Sequence, residues 1–147
     1  MKRREFILLA TAPGRLKAEQ TAKGHRIAIV DPTLPIVEMS GGAQDPHDYR
    51  PFLEELRRLG YIEGRNLLID RFSGEYHASH DHAEVAREVL RRNPDLIVTI
   101  GTASSLALKT ETRTVPIVFL AVTDPVGSGL VSSLAKPGSN FTGFTEL

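Results

Sequence analysis

The sequence predicts an α/β domain built on a parallel sheet of about five strands, with helices on both faces. Three observations carry that expectation. Short, β-branched apolar runs alternate with segments of helical periodicity, giving the order β-α-β-α-β-α-β-α-β. The inner runs are apolar on both faces, as parallel strands buried between helix layers must be. The runs end in small polar residues or Gly and Pro, the composition of loops at the carboxyl edge of such a sheet. Right-handed crossovers leave few arrangements, and the flavodoxin-like order 2-1-3-4-5 fits them.

The elements follow in order. Arg26-Ile27-Ala28-Ile29-Val30 is the first strand, stopped by Asp31-Pro32. A Pro- and Gly-rich loop over 31–47 is long for a strand-to-helix connection, and long loops are often functional. Phe52, Leu53, Leu56 and Leu59 share one face of a helix, with Asp48 as N-cap, Pro51 in the first turn and Gly60 as the stop. Residues 65–72 form the second strand, polar at both ends and so suited to a sheet edge. Residues 73–79 read as a loop. Asp81 opens the next helix, with Glu84 completing a capping box. Asn93-Pro94-Asp95 ends it. Leu96–Ile100 is a central strand. A helix over about Ser104 to Thr110 follows, then a strand from Pro116 to Val122, with proline at a position where a missing N–H is tolerated. A short helix near Ser128 to Ala135 and a short strand over 140–144 complete the order.

Composition excludes several functions. Eighteen basic and 18 acidic residues cancel, so the electrostatic footprint of a nucleic-acid binder is missing. There is no Cys, hence no disulfide, thiolate nucleophile or thiolate metal ligand. Hydrophobic residues make up 41% of the chain, enough for a core and too many for disorder. No phosphate loop of the G-x-x-x-x-G-K-[ST] form and no G-x-S-x-G elbow occurs. Gly127-Ser128-Gly129-Leu130-Val131-Ser132 has part of a dinucleotide fingerprint, but it follows the fourth strand and no acidic ribose partner comes after it. No cofactor and no catalytic residues are expected.

The candidate site is a binding site. Gly101 lets the chain turn out of the third strand, and Thr102 and Ser104 set hydroxyls beside the free N–H groups of a helix start, a combination that holds a carboxylate or another anion. The plainer alternative is an ordinary N-cap. Asp124, between Thr123 and Pro125 at the end of the neighbouring strand, can pair with a ligand amine; the alternative is a turn-forming Asx residue before proline. Asn140 and Thr142 are expected near the same edge. His77, His80 and His82 are close in sequence, but His80 and His82 straddle a helix start, so a solvated turn is expected and no metal site.

The N-terminus, Met1-Lys2-Arg3-Arg4-Glu5-Phe6-Ile7-Leu8-Leu9-Ala10-Thr11-Ala12, places a positive segment before a short apolar run and an A-x-A-like site, similar to a twin-arginine export signal. Residues 1–24 are read as a shortened or degraded signal and linker, and 25–147 as one domain. A frayed amphipathic tail is the alternative.

Several segments together carry a family resemblance: Arg3-Arg4-Glu5-Phe6-Ile7, the run from Phe52 to Asn66, Pro94–Val98, Gly101-Thr102, Thr114–Phe119, Asp124–Val131 and Leu134–Phe144. On these the chain resembles the substrate-binding components of ABC transporters, in the bacterial branch that includes tryptophan/tyrosine-type binding proteins. The resemblance implies one lobe of a type I periplasmic-binding-protein fold, which closes by a hinge around a small ligand. It implies a solute-binding component of an importer, not an enzyme, whose ligand is an amino acid or aromatic compound. ABC permease and ATPase subunits are the implied partners. Thr102, Ala103, Ser104 and Asp124 are the implied ligand contacts, with Ser40-Gly41-Gly42 facing the cleft. The second lobe is expected to be absent, leaving an unmatched cleft face open to self-association. Location is extracytoplasmic if the leader works and cytoplasmic otherwise. Two other readings fit the same fold: a stand-alone flavodoxin-like nucleotide-binding or enzymatic domain, and the effector-sensing lobe of a regulator.

Overall fold

The structure is a computed structural model that describes residues 24–41 and 49–145. Its elements are β1 (His25–Val30), α1 (Ile36–Met39), α2 (Arg50–Arg58), β2 (Leu67–Phe72), α3 (Gly74–His77), α4 (His82–Arg91), β3 (Leu96–Ile100), α5 (Thr102–Glu111), β4 (Ile117–Val122) and β5 (Phe141–Thr145). The strands form one five-stranded sheet in the order β2-β1-β3-β4-β5, every pair parallel. All carboxyl ends therefore lie along one edge.

Local chemistry explains why the elements start and stop where they do. α2 ends in a Schellman arrangement: Gly60, at φ 94°, donates to the Arg57 carbonyl, and the Tyr61 N–H reaches back to Leu56. Only glycine adopts that turn at no steric cost. α4 opens on the expected capping box, with the Glu84 N–H donating to Asp81 Oδ1 at 2.7 Å and the Asp81 N–H donating to Glu84. Asn93 ends it in the left-handed region, φ 52°.

The core lies on both sheet faces. On one, Ala28, Val30, Ile97, Phe119 and Phe141 meet Val85, Val89 and Leu108 from α4 and α5. On the other, Ile27, Ile29, Leu67, Ile69 and Val98 meet Met39 and Tyr49, with Phe52, Leu53 and Leu56 of α2 half-buried against them. Toward β4 and β5 the described residues leave this second face open. Val118 and Leu120 are half-buried, and Phe144 is 72% exposed. β2 is a sheet edge, as its polar ends predict; Leu68, between buried Leu67 and Ile69, points outward.

Four local expectations differ from the structure. The segment 73–79 holds a one-turn helix, α3, and the loop after β1 holds another, α1. The helix expected near Ser128 to Ala135 does not form. One helical turn, closed by the Ser128 N–H on the Asp124 carbonyl, is broken at Gly129, φ 76°, and buried Leu130 and Val131 then pin the chain to the core. α5 begins at Thr102, two residues before the expected start. The expected N-cap Asp48 lies outside the described residues, as do His47, Gly42 and the leader; Tyr49 stands at the N-cap of α2 without a side-chain cap bond.

Candidate functional site

Three strand ends build the carboxyl edge. At the end of β3 the chain must reverse from strand to helix within one residue. Gly101 does so at φ 87°, ψ 159°, its own N–H anchored to the Leu120 carbonyl of β4 at 2.9 Å. Ser105 closes the first turn of α5, with both its N–H and its hydroxyl donating to the Gly101 carbonyl. α5 has no side-chain N-cap bond, so the ordinary-cap alternative for Thr102 and Ser104 does not hold. The N–H groups of Thr102, Ala103 and Ser104 have no acceptor among the described residues. They form the positive end of a ten-residue helix.

Those residues differ in what they present. Thr102 is half-buried and Ala103 exposed. Ser104 is 3% exposed, and its Oγ lies 3.1 Å from Nδ1 of His82. Its hydroxyl is thus engaged inside the fold, and only its N–H is left for the edge.

At the end of β4 the backbone twists sharply. Ala121 and Asp124 both adopt left-handed conformations, φ 52° and 46°, and the pairing with β5 shifts register between Phe119 and Val122. Asp124 is exposed, and its Oδ1 accepts from the Gly127 N–H at 2.8 Å. A Cβ on Gly127 would collide with that carboxylate, so a larger residue there would have to swing the Asp124 side chain aside. The Asx-turn alternative for Asp124 is therefore part of its role. One carboxylate oxygen is used this way, and no hydrogen bond to the other is made among the described residues.

At the end of β1, Asp31 is buried, yet fully partnered. Oδ1 accepts from the Thr33 N–H and hydroxyl, at 2.9 and 2.6 Å, and Oδ2 from the Tyr49 hydroxyl at 2.9 Å. Burial, and then the Asp31 charge, push the Tyr49 hydroxyl far above the ordinary phenol range. This pair ties the loop after β1 to α2. The sequence reading did not single it out, although the Asp-Pro-Thr triplet has the form of an Asx turn.

The strand register does not bring Asn140 and Thr142 here. β5 runs parallel to β4, and its first residue, Phe141, pairs with Ile117, the first residue of β4. Asn140 precedes it at the opposite, amino edge, where its side-chain amide donates to the Val115 carbonyl at 2.7 Å. Thr142 faces outward one position further along, beside Val118. Neither reaches the edge that holds Thr102 and Asp124.

The histidines also differ from the solvated turn expected of them. His80 is exposed and stacks on Tyr76 at 4.3 Å. His77 and His82 are half-buried, with ring centroids 5.3 Å apart. His77 Nδ1 meets the Ser73 carbonyl at 2.9 Å, while its Nε2 is buried without a partner. Burial holds the His77 ring below the usual imidazole range. Among the described residues no group of three or more side chains could hold a metal ion.

An uncapped helix start and an exposed carboxylate thus stand at adjacent strand ends. Residues 36–147 match the family described as ABC transporter substrate binding protein, and the chain belongs to that family. Over 95 residues it is 38% identical to a tyrosine-binding protein of Clostridioides difficile, a match covering 65% of this chain and 27% of that protein. Among solved structures it is similar to a conserved domain protein of Vibrio cholerae, with a TM-score of 0.67 and 35% identity, covering 85% of this chain and 40% of that one. It is also similar to a Streptococcus pneumonia ABC domain solved in complex with L-Trp, with a TM-score of 0.64 and 26% identity, covering 83% and 38% of the two chains. The chain thus spans well under half the length of these relatives.

Proposed function

We propose that this chain forms one lobe of the solute-binding component of an ABC importer, and that it holds the carboxylate of a small ligand, an amino acid or aromatic compound, at the first turn of α5. The observation that carries the reading is the uncapped start of α5 beside Asp124 on one edge of the sheet. The N–H groups of Thr102, Ala103 and Ser104 and the Thr102 hydroxyl would hold the carboxylate, as helix starts hold anions. The free oxygen of Asp124 would take the ammonium group. The same two residues leave apolar surface nearby, with Val126 43% exposed, for the rest of the ligand. The relatives' names point to aromatic amino acids as the first ligands to try.

This function requires an extracytoplasmic location, a permease and an ATPase as partners, and no chemistry on the ligand. The apolar surface left open over β4 and β5 would also support self-association of the lobe.

The test is a titration of the protein with L-tyrosine and L-tryptophan, followed by backbone amide NMR, which detects weak binding to half a cleft. Shifts centred on Thr102, Ala103 and Ser104 are expected. Asp124→Asn keeps the acceptor for the Gly127 N–H but loses the charge. It should weaken binding of the amino acids and leave binding of the matching acid without an amine unchanged. A panel of amino acids that perturbs none of these amides removes the reading.

A further inference from the structure

We propose that His82, acting through Ser104, couples carboxylate capture at α5 to uptake of a proton, so that the lobe holds an anionic solute more tightly in mildly acidic than in neutral surroundings. The proposal rests on the binding reading above and adds a positioning residue to it. His82 is the first residue of α4, and its Nδ1 stands 3.1 Å from the hydroxyl of Ser104, the third residue of α5. The two helices start side by side at the carboxyl edge. Histidine is the side chain that changes charge between neutral and mildly acidic pH. With Nδ1 unprotonated, the Ser104 hydroxyl donates to it. With the ring protonated, Nδ1 donates instead and the hydroxyl proton is released to turn elsewhere. A positive charge then sits one hydrogen bond from the turn whose N–H groups face the ligand.

Empty, that turn is the positive end of a helix dipole and repels the imidazolium. A bound carboxylate removes the repulsion and attracts the charge. Proton and carboxylate therefore favour one another, and the coupling is reciprocal.

Among the described residues, His82 is the ring that meets the first turn of α5. On the α3 side, His77 already donates through Nδ1 to the Ser73 carbonyl, and a proton on its buried Nε2 would have no acceptor. Burial disfavours its charged form. His80 is outside, stacked on Tyr76. Asp31, at the end of β1, acts on His77 through space, but both its oxygens are taken by Thr33 and Tyr49. Asp81 and Glu84, in α4 itself, are locked in the capping box. The first turn of α5 has no acidic residue, and among the described residues Ser104 is the α5 side chain that meets His82.

The experiment measures dissociation constants for L-tyrosine and L-tryptophan by amide NMR at about pH 5.5 and about pH 7.5, a range within which histidine titrates and the ligands keep their charges. Wild type, His82→Asn and Ser104→Ala are compared. Asn keeps an acceptor for Ser104 but cannot ionise. Wild type should bind about fivefold more tightly at the lower pH. Both variants should still bind; the ratio should fall to near one in His82→Asn and be reduced in Ser104→Ala, and the carboxamide of either ligand, where it binds at all, should show a ratio near one. A ratio of one in wild type, or an unchanged ratio in His82→Asn, overturns the role of His82 and leaves the binding reading standing. Absence of binding at both pH values overturns both.

Discussion

Replacing Gly101 by Ala isolates backbone strain from packing. The residue sits at φ 87°, ψ 159°, a region essentially reserved for glycine. A Cβ built there meets nothing within 4 Å, so no collision adds to the effect and no new contact offsets it. The change therefore costs what the torsion costs, about 1–3 kcal/mol. Alanine also restricts the unfolded chain, which returns roughly 0.4–1 kcal/mol. The midpoints of the two ranges leave a net loss of about 1.3 kcal/mol, a fall in melting temperature of roughly 3–5 °C for a domain of this size. Urea unfolding followed by circular dichroism reads the loss directly, with an unchanged slope showing that the folded state is still compact. The same variant should weaken amino-acid binding, because Gly101 aims the N–H groups of Thr102 and Ala103. Stability within about 0.5 kcal/mol of wild type would refute the strain argument. A clear stability loss with unchanged ligand affinity would instead show that this turn does not hold the ligand.

Two further outcomes test the frame around the site. Asp81→Ala removes one half of the α4 capping box and should lower stability by about 1 kcal/mol in urea unfolding, with Asp81→Ser recovering most of it. Tyr49→Phe probes the buried Asp31 pair. The Tyr49 hydroxyl titrates far higher folded than unfolded, so the folded state keeps a proton that the unfolded chain releases. Its contribution is fully present below about pH 10 and is lost above it at about 1.4 kcal/mol per pH unit. The Phe variant should be less stable at neutral pH, because the Asp31 carboxylate loses a donor, and should show a shallower alkaline decline. An equal alkaline decline in both proteins would contradict the assignment to Tyr49.

The sheet was legible because its strands are buried on both faces. Ile27–Val30 and Leu96–Ile100 read as apolar runs, and their packing between two helix layers leaves no other arrangement for them. Helix ends were legible where a local device sets them, as at Asp81 with Glu84 or at Gly60. The short helices α1 and α3 were not. At four residues each they carry no periodicity, and they form because the ends of β1 and β2 are tied together, with the Gly74 N–H bound to the Leu34 carbonyl and Glu75 accepting from the Ile36 N–H. Those are contacts between distant parts of the chain, which no sequence window contains. Asn140 was placed at the wrong edge for a related reason. A polar residue beside a short strand gives no sign of which end it occupies until the register is known, and the pairing of Phe141 with Ile117 fixes that end.

The candidate site was legible in its residue types and less so in their work. Ser104 and Asp124 both looked like side chains aimed at a ligand. The structure turns the first inward to His82 and commits half of the second to its own turn. In the Asp124-Pro125-Val126-Gly127 segment the turn bond and the proposed ligand contact need not compete. Asp124 takes a left-handed backbone, which an aspartate tolerates better than most residues. That bend carries the carboxylate over the Gly127 N–H, and Gly127 has no Cβ to obstruct it. The hydrogen bond fixes the orientation of the carboxylate, and the remaining oxygen is thereby held over Gly127. A carboxylate already fixed by its own loop loses less side-chain freedom when a ligand binds, so under the proposed function the same bond would also prepare the group for recognition. The same argument applies across the edge at α5, where the hydrogen bonds from Ser105 to the Gly101 carbonyl hold the first turn in place and leave its three outer N–H groups unspent.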